Sequence, residues 1–289
     1  MGDTLKQVIL EAETLPPFTS SARKITALAS NIDCAPADIV RVIETDPTMT
    51  VALIRLLNSD YFSMETPCYT VSEAVVTLGI TTVKNIALKT GERRTLPTFT
   101  DADPGALGLH MHCAGTGMIA RHLARFLALP PRVQDQALSA GLMHDLGKIA
   151  LLNAMPAQYS SAVQKAKEQG VSLDVSERTH LDCDHSQVGQ MLSEAWNLPE
   201  IFTITMGDHY ESTLSISDER TFALFDCVTA ANTIIQRKGF GTSGDPEPPK
   251  LTESAKTRFG ISSSEALEKK LPPTLVEELN QLQEMLHHA

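Results

Sequence analysis

Apolar residues recur along most of the chain at three- and four-residue steps, the spacing of one face of an α-helix. Ile25, Leu28 and Ile32 form one such stripe, with Ser20 or Ser21 as its cap. Ile39, Val42 and Ile43 form a second behind Pro36, and Met49, Leu53, Leu56 and Leu57 form a third behind Asp46-Pro47. An aspartate followed by proline is a start signal, with Asp46 capping and Pro47 in the first turn. Ser72 and Glu73 open the next helix (Ala74, Val75 and Leu78 inward, Gly79 at its end), and Thr81 or Thr82 caps another with Val83, Ile86 and Leu88 inward. No alternation of period two competes with these stripes.

Thr95 to Pro104, with two prolines among Thr and Asp, reads as a linker. Helical patterns resume over 107–128, 133–143, 149–155, 159–169, 188–198, 201–209 and 221–237. Residues 238–249 are rich in Gly and Pro and read as a mobile loop or linker. Two helices follow, and Leu275, Leu279, Leu282 and Leu286 make a stripe that either packs on the body or joins a second copy as a homodimer. The expected fold is therefore all-α. A helical N-terminal subdomain (1–96) packs on a second helical domain (104–237), followed by a Gly/Pro-rich loop (238–261) and C-terminal helices (262–289).

Charge changes the picture by exclusion. The net charge of −11 leaves little to gain from a phosphate backbone, so duplex nucleic acid is not an expected partner. No apolar run is long enough for a membrane span, and the N-terminus lacks a signal-peptide core. Five scattered cysteines without a CxxC read as reduced thiols in a cytoplasmic protein.

The candidate chemistry centres on Gly141-Leu142-Met143-His144-Asp145-Leu146-Gly147-Lys148. Adjacent helical residues point about 100° apart. A His-Asp pair can therefore aim at one metal ion or water only at a helix end, which Gly147 suggests. His112 stands upstream, and His185 and His209 stand downstream. His122, flanked by Arg121 and Arg125, points about 80° away from His112 on the same helix and reads as a surface residue.

The His-Asp motif resembles the signature of the HD superfamily of metal-dependent phosphohydrolases. Four further motifs resemble the N-terminal half of the HDOD family, bacterial signalling relatives of those enzymes. They are Leu15-Pro16-Pro17, Ile43-Glu44-Thr45-Asp46-Pro47, Leu57-Asn58-Ser59 and Glu73-Ala74-Val75-Val76-Thr77-Leu78-Gly79. The resemblance spans roughly residues 15–235 and makes the second domain HD-like. It implies a metal set of His112, His144, Asp145, His185 and His209 for a divalent ion such as Fe, Mn, Zn or Ni. The superfamily's last aspartate aligns with Asn232, and Tyr210 stands where cyclic-dinucleotide-cleaving members have another histidine.

An amide at Asn232 carries no charge, which weakens the hold on a dication. Asp226 is about 120° off the Asn232 direction, so Asp184 and Asp208 are better placed to replace the missing carboxylate. Two readings follow. In the first, the chain is a non-catalytic signalling module that binds a partner protein or a nucleotide second messenger, its histidines holding a metal or filling a hydrogen-bonded polar pocket. In the second it is a metal-dependent phosphohydrolase of nucleotides or cyclic dinucleotides, with Asp145 and Lys148 as catalytic groups.

Overall fold

The computed structural model describes residues 3–13, 15–31, 33–62, 64–93, 105–207 and 218–287, and among them every regular element is a helix. The N-terminal half holds α1 (Asp3–Ala12), α2 (Thr19–Ser30), α3 (Pro36–Ile43), α4 (Pro47–Leu57), α5 (Val71–Leu78) and α6 (Ile80–Arg93). The second half holds α7 (Gly105–Phe126), α8 (Pro131–Met143), α9 (Leu146–Ala154), α10 (Pro156–Gln169), α11 (Leu173–Leu181), α12 (His185–Ala195), α13 (Glu200–Gly207) and α14 (Glu219–Arg237). The tail adds α15 (Glu253–Phe259), α16 (Ser264–Glu268) and α17 (Leu275–His287). No described helix is long and apolar enough to cross a membrane. The linker expected at Thr95–Pro104 lies outside the described residues.

Asp46 shows how a helix cap becomes a tertiary joint. One of its carboxylate oxygens accepts from the Thr48 and Met49 amides at 2.9 and 3.0 Å, capping α4. The other accepts from the Phe18 amide at 3.0 Å and so pins the Leu15–Phe18 segment. Phe18 in turn stacks on His110 of α7 at 4.0 Å, and His110 Nε2 donates to the Thr45 carbonyl at 2.7 Å. Burial pushes the His110 pKa down, which suits a neutral ring in this joint between the halves.

Asn58 plays a comparable part. Its side chain donates to the Cys68 carbonyl and accepts from the Cys68 amide, both at 2.9 Å, closing the loop between α4 and α5. Thr70, not Ser72, caps α5, and Ser21 is buried rather than capping α2, which opens behind Phe18 with no side-chain cap. α6 starts at Ile80, directly after Gly79 turns the chain with φ 76°.

The second half is built on a close crossing of α7 and α8. A β-carbon on Gly141 would stand 2.9 Å from the Gly117 α-carbon, so only glycine admits this approach. On the other side of α7, Gly115 makes room for Ile235 of α14 and for Phe240. The leucine stripe of α17 is buried, with α17 packed on α7 and α2. His122 corrects the surface reading: its Nε2 lies 2.8 Å from Glu278 Oε2 of α17, and the ring is only 11% exposed.

Candidate metal centre

The chain leaves the helix where the His-Asp pair needs it to. His144 closes α8 with helical angles, and Asp145 turns to φ −97°, ψ 21° before α9 begins. The break lets both side chains converge on His112 from α7. His112 Nε2 lies 3.2 Å from His144 Nε2 and 3.2 Å from Asp145 Oδ2, and His144 Nε2 lies 3.4 Å from the same oxygen. Gly147 does not end a helix, as the sequence suggested. It sits in the first turn of α9, and a β-carbon there would stand 1.9 Å from the His185 carbonyl. Its role is close contact between α9 and α12.

These distances fit one metal ion. Donors bonded at about 2.0–2.2 Å to one centre stand roughly 2.9–3.5 Å apart, whether octahedral or tetrahedral. His144 has the matching tautomer, because its Nδ1–H donates to the Gly141 carbonyl at 2.8 Å and leaves the Nε2 lone pair facing inward. Burial lowers the His144 pKa to about 4. Burial alone would raise the Asp145 carboxyl, but His144, Lys148 and His112 together hold it well below the usual carboxylate range. His112, His144 and Asp145 thus form a buried group able to bind a metal ion.

Lys148 shares the centre. It is fully buried, and its Nζ lies 3.2 Å from Asp145 Oδ2 and 3.0 Å from Asp245 Oδ2. Asp245 comes from the Gly/Pro-rich stretch, and its other oxygen accepts from the Leu173 amide at the start of α11, at 3.1 Å. Opposing its burial, Lys148 and His185 hold the Asp245 carboxyl below its ordinary value. The stretch is laid directly on α7: the Thr242 amide donates to the Gly108 carbonyl at 2.9 Å. Gly241, at φ 72°, lies so close that a β-carbon would meet the His112 amide nitrogen at 2.5 Å. Sequence reading missed Asp245, since a lone aspartate among Gly and Pro looks like any turn residue.

The other expected ligands are placed differently. His185 opens α12, and its Nδ1 lies 2.5 Å from Oε2 of Glu177, a buried partner that sequence reading also missed. Burial works against the His185 charge, yet Glu177 outweighs it and the pKa is raised. His185 is not in the three-residue donor group. His209, Asp208 and Tyr210 lie outside the described residues. Asn232 is buried in α14, where its Oδ1 accepts from Gln236 at 2.8 Å. Asp184 does not supply the missing carboxylate: it caps α12 and pairs with Arg178 at 2.7 Å. Asp226 is likewise committed, to Ser254 and Arg258, both at 2.6 Å.

The model of the HDOD domain matches residues 15–212. The chain belongs to the HDOD family. An uncharacterised protein of Treponema pallidum (strain Nichols) is 27% identical over 260 residues, covering 88% of this chain and 48% of that protein. The chain thus spans about half the length of this curated relative. Among solved structures, the MmoQ response regulator of Methylococcus capsulatus superposes with a TM-score of 0.69 at 22% identity, covering 90% of this chain and 98% of the other. A virulence factor of Campylobacter jejuni superposes at 0.73 with 17% identity, covering 96% and 98%. At these identities the neighbours establish the all-helical fold of this HDOD protein. The centre itself is read from its own geometry.

Proposed function

We propose that this HDOD protein is a non-catalytic signalling module that acts by binding a partner protein or a nucleotide. The observation that carries the reading is the closure of the centre. His112, His144, Asp145 and Lys148 are each fully buried. The 241–245 segment lies against His112 and holds Lys148 through Asp245, so a phosphodiester entering past it would break the Lys148–Asp245 pair. The Lys148 ammonium already supplies positive charge at Asp145, where a two-metal hydrolase needs a second cation. The regulatory role named for the MmoQ neighbour is carried to this chain only as part of this proposal.

One observation favours a second reading, a metal-dependent phosphohydrolase: the spacing of His112, His144 and Asp145 suits an ion. When bound, such an ion would polarise a phosphate oxygen or acidify a water. In that reading His112 and His144 would hold it as neutral rings, Asp145 would balance its charge, and Lys148 would orient Asp145.

The test uses the full chain loaded with Mn²⁺ or Fe²⁺. It is assayed on bis(p-nitrophenyl) phosphate and a panel of cyclic dinucleotides beside Asp145→Ala. Equal, background rates in both proteins are expected. Turnover that disappears in Asp145→Ala establishes the hydrolase instead.

A further inference from the structure

The carboxylate of Asp245 sits in a seat built by other parts of the chain. One oxygen lies 3.0 Å from the Lys148 ammonium, which is fully buried. The other accepts from the Leu173 amide, the first N–H of α11, at 3.1 Å. A buried ammonium beside an amide at a helix N-terminus makes an anion site, and here a carboxylate already fills it. Lys148 and Leu173 lie within the 15–212 stretch of the HDOD match, whereas Asp245 lies beyond it. The seat thus belongs to the matched body and its occupant to the segment that follows.

That segment is laid on the body rather than built into it. It runs between α14 and α15 without a helix, takes positive φ at Gly239, Gly241 and Gly244, and carries Pro246, Pro248 and Pro249. Thr242, Ser243 and Gly244 line a cavity of about 50 Å³ together with Leu109, Leu152 and Tyr159 of the body. That is room for a few waters, so the fit there is not close-packed. We propose that residues 241–245 are an autoinhibitory strap, in which Asp245 keeps the Lys148–Leu173 seat from an external ligand carrying a singly charged oxyanion, of the class of a phosphodiester or a carboxylate. A single charge is specified because Lys148 also faces the Asp145 carboxylate at 3.2 Å. A dianion in place of Asp245 would add negative charge beside Asp145 in a low-dielectric interior. A tethered group acts at an effective concentration on the order of millimolar. A ligand therefore displaces the strap only by matching that concentration or by adding contacts of its own. The inference rests on the reading of this protein as a binding module, and it gives that module a gated site.

The full chain, kept metal-free with chelator at about pH 8 and constant ionic strength, is dialysed against bis(p-nitrophenyl) phosphate, benzoate and p-nitrophenyl phosphate. The apparent affinity of a site open in only a fraction of molecules is reduced by that fraction. Asp245→Ala should therefore bind the phosphodiester or benzoate at least about tenfold more tightly than wild type, the better of the two naming the ligand class. The monoester p-nitrophenyl phosphate, a dianion at this pH, should gain less. The gain should vanish in the Lys148→Met, Asp245→Ala double variant. In wild type, saturating monoanion should open residues 238–250 to limited proteolysis. A pair that only holds the fold would lose stability on substitution and gain no affinity. Should Asp245→Ala not fold, Asp245→Asn, which keeps the side-chain shape, is read in the same way. Equal affinity in wild type and the Asp245 variant, a gain that survives loss of Lys148, an equal gain for the dianion, or a wild-type segment that stays protected overturns the proposal. Metal-dependent turnover that is lost in Asp145→Ala would instead overturn the non-catalytic reading and leave the strap standing.

Discussion

Lys148 and Asp245 are 97 positions apart in the chain, yet the ammonium and the carboxylate meet at 3.0 Å beside the His-Asp pair. This contact fastens the Gly/Pro-rich segment to α9. Both groups are buried, and removing one partner of a buried pair costs about 3–5 kcal/mol because the other charge is left uncompensated. Asp145 still faces Lys148 when Asp245 is neutralised, so Asp245→Asn should fall at or below the lower end of that range. The variant should also expose residues 238–250 to limited proteolysis under conditions where wild type resists. Urea denaturation and a digestion time course measure the two effects. Wild-type stability together with wild-type protection would show that the pair does not hold the segment.

Gly147 and the His185 carbonyl give a sharper prediction. The clash of a β-carbon at 1.9 Å is with backbone, which cannot rotate away. Gly147→Ala should therefore push α12 off α9 and destabilise the chain by several kcal/mol. Gly170→Ala makes a useful contrast. A β-carbon there meets nothing within 4 Å, but φ is 63°, so only backbone strain of about 1 kcal/mol is expected. Thermal unfolding should rank Gly147→Ala far below Gly170→Ala. The reverse order would mean that the α9–α12 approach is looser than described.

The contrast also shows what a sequence exposes. Helices were legible because their stripes repeat, and Asp46-Pro47 was legible because capping is a local rule. His112, His144 and Asp145 could be named together through family resemblance. Their convergence depends on a break between α8 and α9 that no single residue announces. Gly147 looked like a terminator because a helix-ending glycine and a close-contact glycine are identical in sequence. Asp245 and Glu177 were invisible for another reason: what commits each of them is a buried partner brought up by the fold, Lys148 from 97 positions away for Asp245 and His185 across the turn before α12 for Glu177. His122 was misplaced for a related reason: its arginine neighbours suggested solvent, while its partner, the Glu278 carboxylate, comes from α17.

Acid should loosen the metal-free protein, and the sign follows from His144. Its folded pKa is about 4, below the ordinary imidazole value near 6.5. The unfolded chain therefore binds the proton first as pH falls. The stabilisation is complete above about 6.5 and is lost progressively down to about 4, on the order of 3 kcal/mol. Asp145 and Asp245, both held low, lose their contributions at still lower pH. His185 acts in the opposite sense: its raised pKa stabilises the acid side and fades as pH rises through it. With chelator present, the urea midpoint should drop between pH 6.5 and 4.5, and His144→Gln should flatten that slope. A midpoint that holds steady or rises over this interval would sink the assignment of a neutral, buried His144.

Metal stoichiometry tests the centre most directly. His112, His144 and Asp145 offer three donors at the spacing of a single ion, while Lys148 places a positive charge 3.2 Å from the one shared oxygen. A second dication at Asp145 would face that ammonium at close range in a low-dielectric interior, where like charges repel strongly. The chain should therefore take up no more than one Mn²⁺, Fe²⁺ or Zn²⁺ after loading and gel filtration, measured by elemental analysis. Asp145→Ala and His144→Ala should each abolish uptake. The Lys148→Met, Asp245→Asn double variant removes the competing charge and its outer partner together, which leaves the Asp145 carboxylate for the ion alone to neutralise. It should bind the ion at least about tenfold more tightly in chelator competition, since a single interaction of this kind is worth more than 1.4 kcal/mol. Two ions per wild-type chain, or an affinity that falls when the lysine is removed, would show that Lys148 belongs to the metal-bound state and does not compete with it.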